Sequence, residues 1–449
     1  IRLISIMKIY HSSTRPLLLL VFGFLFFIIL GGCLLKLPYA YHDAYQGELS
    51  WIRALFTATS AVTVTGLSAV DSANFSLFGQ TVIMVLIQIG GLGFMTLAIA
   101  VMLSIGIRIG NNSQQVAHEA LGVIPLNMVG STAKAVILFA LSFEILATLI
   151  LTLAWQSEKG WLMAAYEALF YSVSAFNNAG FGLTGANLIP YANSIVVNLT
   201  ITTLIILGGL GFAVLIDIRK NRTWDKFSLN TKLMLSATLI INLMAFLAIF
   251  VLERHNPDTL ADVGLQQQLL SSWFQAVTPR TAGFNTMDIG KMSDASTLLI
   301  LFLMFIGGGS LSTAGGIKLG TFVVLILTTL AYIRRKDSVT IRHYSISDEQ
   351  IRKALALFSI SLLLVVGSVF ILLLVENKHP FLDVLFEVVS ALSTVGLSRG
   401  ITMSLSPAGE FVLMLMMFIG RLGPLTIAYL IMFPTHTKVR YPTANIHIG

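Results

Sequence analysis

The chain has 449 residues, 56% of them hydrophobic and only 11% charged, with a mean hydropathy of +0.85 and a formal net charge of +7. Such a composition marks a polytopic membrane protein from end to end and excludes a soluble domain of useful size. The longest polar stretches, 108–134 and 334–353, are too short to fold alone, so any nucleotide sensor must sit on another chain. The single cysteine, Cys33, excludes an internal disulfide, and the basic balance comes with no nucleic-acid motif.

An apolar run at 17–35 predicts the first crossing. Leu30-Gly31-Gly32-Cys33 superficially resembles a lipoprotein processing site, but the preferred reading is a span with small packing residues. After a loop at 36–50, the amphipathic run from Trp51 ends in Thr63-Val64-Thr65-Gly66, and a long apolar segment follows at 76–107. The same plan returns at 135–155, a run ending in Asn178-Ala179-Gly180, and 194–218. It returns again at 233–252, a run ending in Thr281-Ala282-Gly283, and 295–333. A fourth copy holds 354–375, a run ending in Thr394-Val395-Gly396, and 408–433. The four glycines lie 114, 103 and 113 residues apart, and ten residues before each stands an aromatic: Phe56, Phe170, Trp273 and Phe386. The chain therefore reads as an all-α polytopic membrane protein of four tandem helix, pore-loop, helix units around a central pore. The expected unit boundaries are 1–134, 135–232, 233–353 and 354–449, giving eight transmembrane helices and four re-entrant hairpins.

The apolar part of each run before a glycine is about ten to sixteen residues, too short to span, which fits a half-helix. Glycine then lets the chain leave the helix with positive φ and turn carbonyls towards a shared axis, and rings of such carbonyls can replace an ion's hydration shell. Irregular backbone at membrane depth is tolerated only when buried in protein or beside water. Four short polar turns in register therefore point to a selectivity filter made of Thr63 to Gly66, Asn178 to Gly180, Thr281 to Gly283 and Thr394 to Gly396, with a cation at its carbonyls.

Two crossings per unit put both termini on one side. Eighteen of the 28 Lys and Arg fall on that side and eight opposite, so the positive-inside rule makes the termini cytoplasmic in a multi-pass cell (inner) membrane protein. Fourteen of the 21 acids fall on the outer side, where they would either concentrate cations in a vestibule or simply keep loops soluble.

Each second helix carries a glycine cluster: Gly90-Gly91-Leu92-Gly93, Gly208-Gly209-Leu210-Gly211, Gly307-Gly308-Gly309-Ser310 and Gly420-Arg421-Leu422-Gly423. The first two read mainly as close-packing sites. The third must be a break, because a continuous helix over 295–333 would be about 60 Å long in a core of about 30 Å. The segment Gly307-Gly308-Gly309-Ser310-Leu311-Ser312-Thr313-Ala314-Gly315-Gly316 then reads as a movable barrier below the filter. Arg421, mid-span in the fourth unit, is expected to face the cavity as a charge barrier, to clasp the carbonyls of that broken segment, or to form a structural ion pair with an acid such as Glu144.

The turns VTVTGL, FNNAGF, PRTAGF and LSTVGL, with GGGSLSTAGGIK and GRLGP, resemble the Trk/Ktr/HKT potassium-uptake superfamily over essentially the whole chain, most closely its Ktr membrane subunits. The resemblance implies a homodimer with one pore per protomer in membrane lipid, assembled on a cytoplasmic, KtrA-like ring of regulatory subunits that carry the nucleotide. It implies potassium as the transported ion, sodium as a candidate activator, and potassium selectivity at Gly66, Gly180, Gly283 and Gly396. Leu311 departs from the small residues it leads one to expect. Two other classes compete. A sodium-coupled or other secondary cation carrier would also use unwound midplane helices. An intramembrane protease using Ser310 or Ser312 would need a general base at that depth, and all eight histidines lie in tails or loops. A non-enzymatic role is therefore expected.

Overall fold

The computed structural model describes residues 2–42, 49–93, 129–310 and 312–431. Each repeat begins with a long helix: α1 (Arg2–Leu35), α4 (Val129–Lys159), α8 (Leu229–Glu253) and α12 (Asp348–Val375). These four are long and apolar enough to cross a membrane singly. Each is followed by a shorter helix that stops just before a filter glycine: α2 (Trp51–Val62), α5 (Trp161–Phe176), α9 (Leu265–Val277) and α13 (Phe381–Leu392).

The third of the second crossings is broken where expected, and those of the second and fourth repeats are not the continuous helices expected. α3 (Leu77–Leu92) ends at Gly93, with φ 77°, and the rest of the expected 76–107 span lies outside the described residues. α6 (Ile195–Leu210) meets α7 (Phe212–Asn221) at a 95° bend on Gly211, φ 101°. α10 (Asp294–Phe305) and α11 (Leu319–Ile333) are separated by the glycine-rich loop, and α14 (Pro407–Leu422) passes to α15 (Pro424–Ile431) through Gly423, φ 90°. Left-handed glycine ends a helix because it alone meets no Cβ penalty there. The clusters at Gly90 and Gly208 are thus followed by breaks as well as being packing sites. Between α11 and α12 lies a hairpin of β1 (Thr340–Ile341) and β2 (Tyr344–Ser345).

The repeats close into a ring. The second helix of each packs on the half-helix of the next: α3 on α5, α6 on α9, α10 on α13, and α14 back on α2. Within a repeat the second helix also lies close to its own half-helix, because a glycine faces that half-helix's last carbonyl. A Cβ on Gly90 would strike Val62 O, one on Gly208 Phe176 O, and one on Gly420 Leu392 O. Gly90→Ala should therefore destabilise the protein despite the ~1 kcal/mol that alanine gains in a helix, because the clash with backbone costs about 1–3 kcal/mol. A lower thermal midpoint in detergent checks this, and an unchanged or raised one would contradict the contact.

Phe56, Phe170 and Phe386 are fully buried, whereas in the third repeat the buried aromatic is Phe274. Trp273 is only partly buried and donates its Nε1–H to Thr202 Oγ1 at 3.2 Å. The register shifts because α9 ends six residues before its glycine rather than four, next to Pro279, which has no N–H for the helix.

Candidate functional site: four glycine turns above a stitched loop

The four turns share one backbone. The residue two before each glycine is left-handed, at Val64 (φ 59°), Asn178 (59°), Thr281 (74°) and Thr394 (49°), and so is the glycine itself, at φ 94°, 71°, 75° and 91° for Gly66, Gly180, Gly283 and Gly396. The non-glycine residue in each turn carries the backbone cost, and a local bond holds it, closing five residues back in three of the turns and four back in that of the third repeat. The N–H between it and the glycine donates back into the half-helix end: Thr65 to Ser60 O at 2.8 Å, Ala179 to Ser174 O at 2.7 Å, Ala282 to Thr278 O at 2.9 Å and Val395 to Ser390 O at 2.8 Å.

Across repeats the turns meet in cyclic order. A Cβ on Gly66 would strike Ala179 O, on Gly180 it would lie 2.7 Å from Ala282 O, on Gly283 it would strike Val395 O, and on Gly396 it would strike Thr65 O. It would also come within 3.1, 2.8, 3.2 and 3.0 Å of the next glycine's Cα in that cycle. The carbonyls of Thr65, Ala179, Ala282 and Val395 therefore form a closed ring with no room for side chains. The C-terminal ends of four half-helices, carrying partial negative charge, are aimed at it.

Before the ring lies a cavity of about 230 Å³ lined by all four glycines, with Asp71 the one carboxylate among its lining residues. Several of the acids expected on the outer side are spent on structure instead. Glu410 accepts from Arg53 at 3.2 Å, Asp383 from Arg399 at 2.6 Å, and Glu253 from Ser293, Thr259 and Asn256; Lys159 pairs with Glu167. Asp43 and Glu48 lie outside the described residues. Asp71→Asn keeps an oxygen for the Ala73 N–H, now 2.9 Å from Asp71 Oδ1, while removing charge from the cavity. Cation flux should fall about two- to threefold at low ionic strength and return to the parent level near 0.15 M salt, where charges are screened beyond ~8 Å. A salt-independent effect would contradict this.

Beyond the ring the loop from Gly307 to Gly316 is stitched into the second and fourth repeats. Gly309 N–H donates to Gly209 O at 2.7 Å and Thr313 N–H to Gly208 O at 3.4 Å, at the end of α6. Thr313 Oγ1 donates to Phe176 O at 3.4 Å, under the second half-helix. A Cβ on Gly315 would strike Thr394 Oγ1 and lie 3.0 Å from Ser393 O, at the base of the fourth turn. Ser312 Oγ donates to Gly309 O at 2.7 Å, which keeps that hydroxyl inside the loop. Leu311 lies outside the described residues.

Arg421 clasps this loop. Its guanidinium donates to Thr313 O, to Gly90 O and, at 3.2 Å, to Gly91 O. The ion pair with Glu144 does not form, because that carboxylate accepts from Gln88 Nε2 and Asn177 Nδ2, each at 3.2 Å.

A family model described as TrkH, cation transport protein, matches residues 36–441. The chain belongs to the TrkH family. Within it, Ktr system potassium uptake protein B of Bacillus subtilis is 46% identical over 435 residues, 97% of each chain. The protein of that name from Vibrio alginolyticus is 39% identical over 406 residues, 89% of each. Potassium/sodium uptake protein NtpJ of Enterococcus hirae is 35% identical over 450 residues, 98% of this chain and 99% of its own. The crystal structure of the potassium transporter TrkH from Vibrio parahaemolyticus shares the fold, with a TM-score of 0.73 at 22% identity over 93% of this chain and 85% of that one.

Three supports of this TrkH-family site escaped the sequence reading. Hydroxyls brace the turns: Ser60 Oγ and Ser390 Oγ accept the Gly66 and Gly396 N–H at 3.0 Å, while Ser174 and Thr278 donate to Phe181 O and Phe284 O at 2.9 and 2.6 Å. Their signal was a Ser or Thr five or six residues before every filter glycine. Arg280, which precedes the third filter turn, is buried behind it and donates to Asn242 Oδ1 at 3.1 Å and Thr238 Oγ1 at 3.3 Å on α8. Lys318 donates to Ala314 O, so consecutive loop carbonyls are each held by a cation.

Proposed function

We propose that this chain is the ion-translocating membrane subunit of a potassium-uptake system, with the four-glycine carbonyl ring as its selectivity filter and the loop from Gly307 to Gly316 as its gate. The observation that carries the reading is the closed cycle in which each glycine meets the next repeat's carbonyl. Carbonyl rings replace the water of a dehydrated cation, and the half-helix C-termini favour positive charge. The relatives named for potassium uptake give the reading its ion. Passive inward movement suffices for uptake: about 2.3 kcal/mol per 100 mV supports roughly fiftyfold accumulation at ~1.36 kcal/mol per tenfold.

The topology reading puts the filter outside and the basic segments 219–232 and 334–353 in the cytoplasm, where they would dock a nucleotide-binding regulatory ring; the matching segment 108–128 and the tail beyond 431 lie outside the described residues. A homodimer and activation by sodium belong to the same proposal. The second reading is a sodium-coupled carrier, which the broken second helices would also serve. Purified protein in liposomes tests the proposal: potassium should enter down a voltage imposed with no sodium present. Sodium that enters together with potassium in a fixed ratio would favour the carrier, whereas sodium that only speeds potassium entry without crossing fits activation.

A further inference from the structure

A separate cavity of about 670 Å³ opens on the flank of the third repeat, between α8, α10 and α11. Its walls are aliphatic and aromatic, with Ile240, Met244, Phe302 and Ile326 exposed along it. That volume lies in the range of small-ligand sites, but the groove is long, apolar and open, and in a bilayer such a groove fills with acyl chain. One end differs. Lys232, on the first turn of α8, and Arg342, at the tip of the β1–β2 hairpin, line the same cavity. Neither pairs with a described carboxylate: Lys232 Nζ donates to the backbone Asp225 O at 3.0 Å, and Arg342 makes no hydrogen bond among the described residues. Arg342 is held left-handed, φ 54°, at a hairpin position that favours Asn or Gly. Trp224, just before α8, and Tyr344, in the hairpin, are exposed at this end, as aromatics are where a membrane meets water.

We propose that this groove is a binding site for an anionic phospholipid, with an acyl chain along α8 and the phosphate between Lys232 and Arg342. Two unpaired cations at the basic end of an apolar groove complement a phosphate. A second copy of the chain fits less well, since an isologous contact here would set the same two cations against their own copies. The groove also reaches Ile306, which ends α10 and bridges to Ile317 across the base of the glycine-rich loop. A bound lipid would splint α10 and α11 beside that loop. This consequence rests on the gating reading, whereas the site itself does not.

Native mass spectrometry of the purified protein with added phosphatidylglycerol or phosphatidylcholine tests the site without any ion flux, so its failure leaves the channel reading untouched. The parent protein should retain phosphatidylglycerol preferentially. Lys232→Gln with Arg342→Gln should weaken that retention about thirtyfold, equivalent to about 2 kcal/mol. Ala237→Trp, which fills the groove without changing charge, should weaken it as well. If the double variant aggregates, Arg342→Gln alone, at an exposed side chain, carries the test with an expected loss of about fivefold. Equal retention of both lipids by the parent, or undiminished preference in the charge and groove-filling variants, would overturn the proposal. So would an intermolecular disulfide formed by Met244→Cys in a Cys33→Ala background, which would mean that a second copy covers the groove.

Discussion

Gly66→Ser should lower the potassium-to-sodium permeability ratio by about tenfold while leaving the protein folded. The glycine sits at φ 94°, where any Cβ is strained by about 1–2 kcal/mol, and the new Cβ would strike Ala179 O, one of the four ring carbonyls. Relieving the clash moves the Ala179 carbonyl, and relieving the strain moves the turn that carries Thr65 O, so either adjustment displaces an oxygen of the ring. A site that replaces hydration discriminates by how well its oxygens match one ion, and a loss of ~1.4 kcal/mol in that match is a factor of ten. The same substitution at Gly180, Gly283 or Gly396 should act in the same direction, because each meets the next repeat's carbonyl in turn. Bi-ionic flux measurements on the four serine variants check this, and unchanged selectivity in all of them would remove the filter assignment.

Deleting Gly309–Ala314 should raise potassium flux at least tenfold and uncouple it from any cytoplasmic partner. The deletion suits the backbone because the loop's ends already meet: Gly307 N–H donates to Ile317 O at 2.8 Å, Leu319 N–H to Gly308 O at 2.9 Å, and a Cβ on Gly307 would strike Gly315 O. What is lost is the stitching, in which Gly209 and Gly208 carbonyls accept from Gly309 and Thr313 while Arg421 and Lys318 hold Thr313 and Ala314. Four bonds at about 1 kcal/mol each favour the stitched position by about 4 kcal/mol, close to a thousandfold, so if that position is the closed one, as proposed, releasing it opens the pore. A regulator needs only to offset part of that to shift the population. Arg421→Ala removes one of the four and also frees Gly90 and Gly91 carbonyls, so its flux should fall between parent and deletion. Parent-level flux in a folded deletion variant would move the barrier elsewhere.

The ring of glycines was legible because each position needs two things that sequence records: a residue tolerant of positive φ and the absence of a side chain. Spacing near 110 residues then aligned the four copies. The breaks at Gly93, Gly211 and Gly423 were less legible, since glycine in an apolar helix serves close packing as readily as it ends the helix, and here the neighbouring Gly90, Gly208 and Gly420 do the packing. The glycine-rich loop stood out because 39 residues cannot cross as one helix. Partners were the least legible feature. Arg280 and Lys318 looked like ordinary basic residues, yet each satisfies buried oxygens that come from another helix or from a turn several residues away. Outer carboxylates looked like a vestibule field, and their pairing with Arg53, Arg399 and Lys159 depends on contacts up to 357 residues apart.

The claim at the centre is that a ring of four glycine turns passes potassium as a pore. The most direct measurement is the current through the purified protein in a planar bilayer, with potassium on one side and sodium on the other and no regulatory subunit present. The expected result is a current that reverses at a potential set by a high potassium-to-sodium permeability ratio, carried by potassium alone and varying continuously with voltage. A reversal potential at zero in that bi-ionic condition, or charge movement that occurs only when both ions are present on the same side, would contradict it.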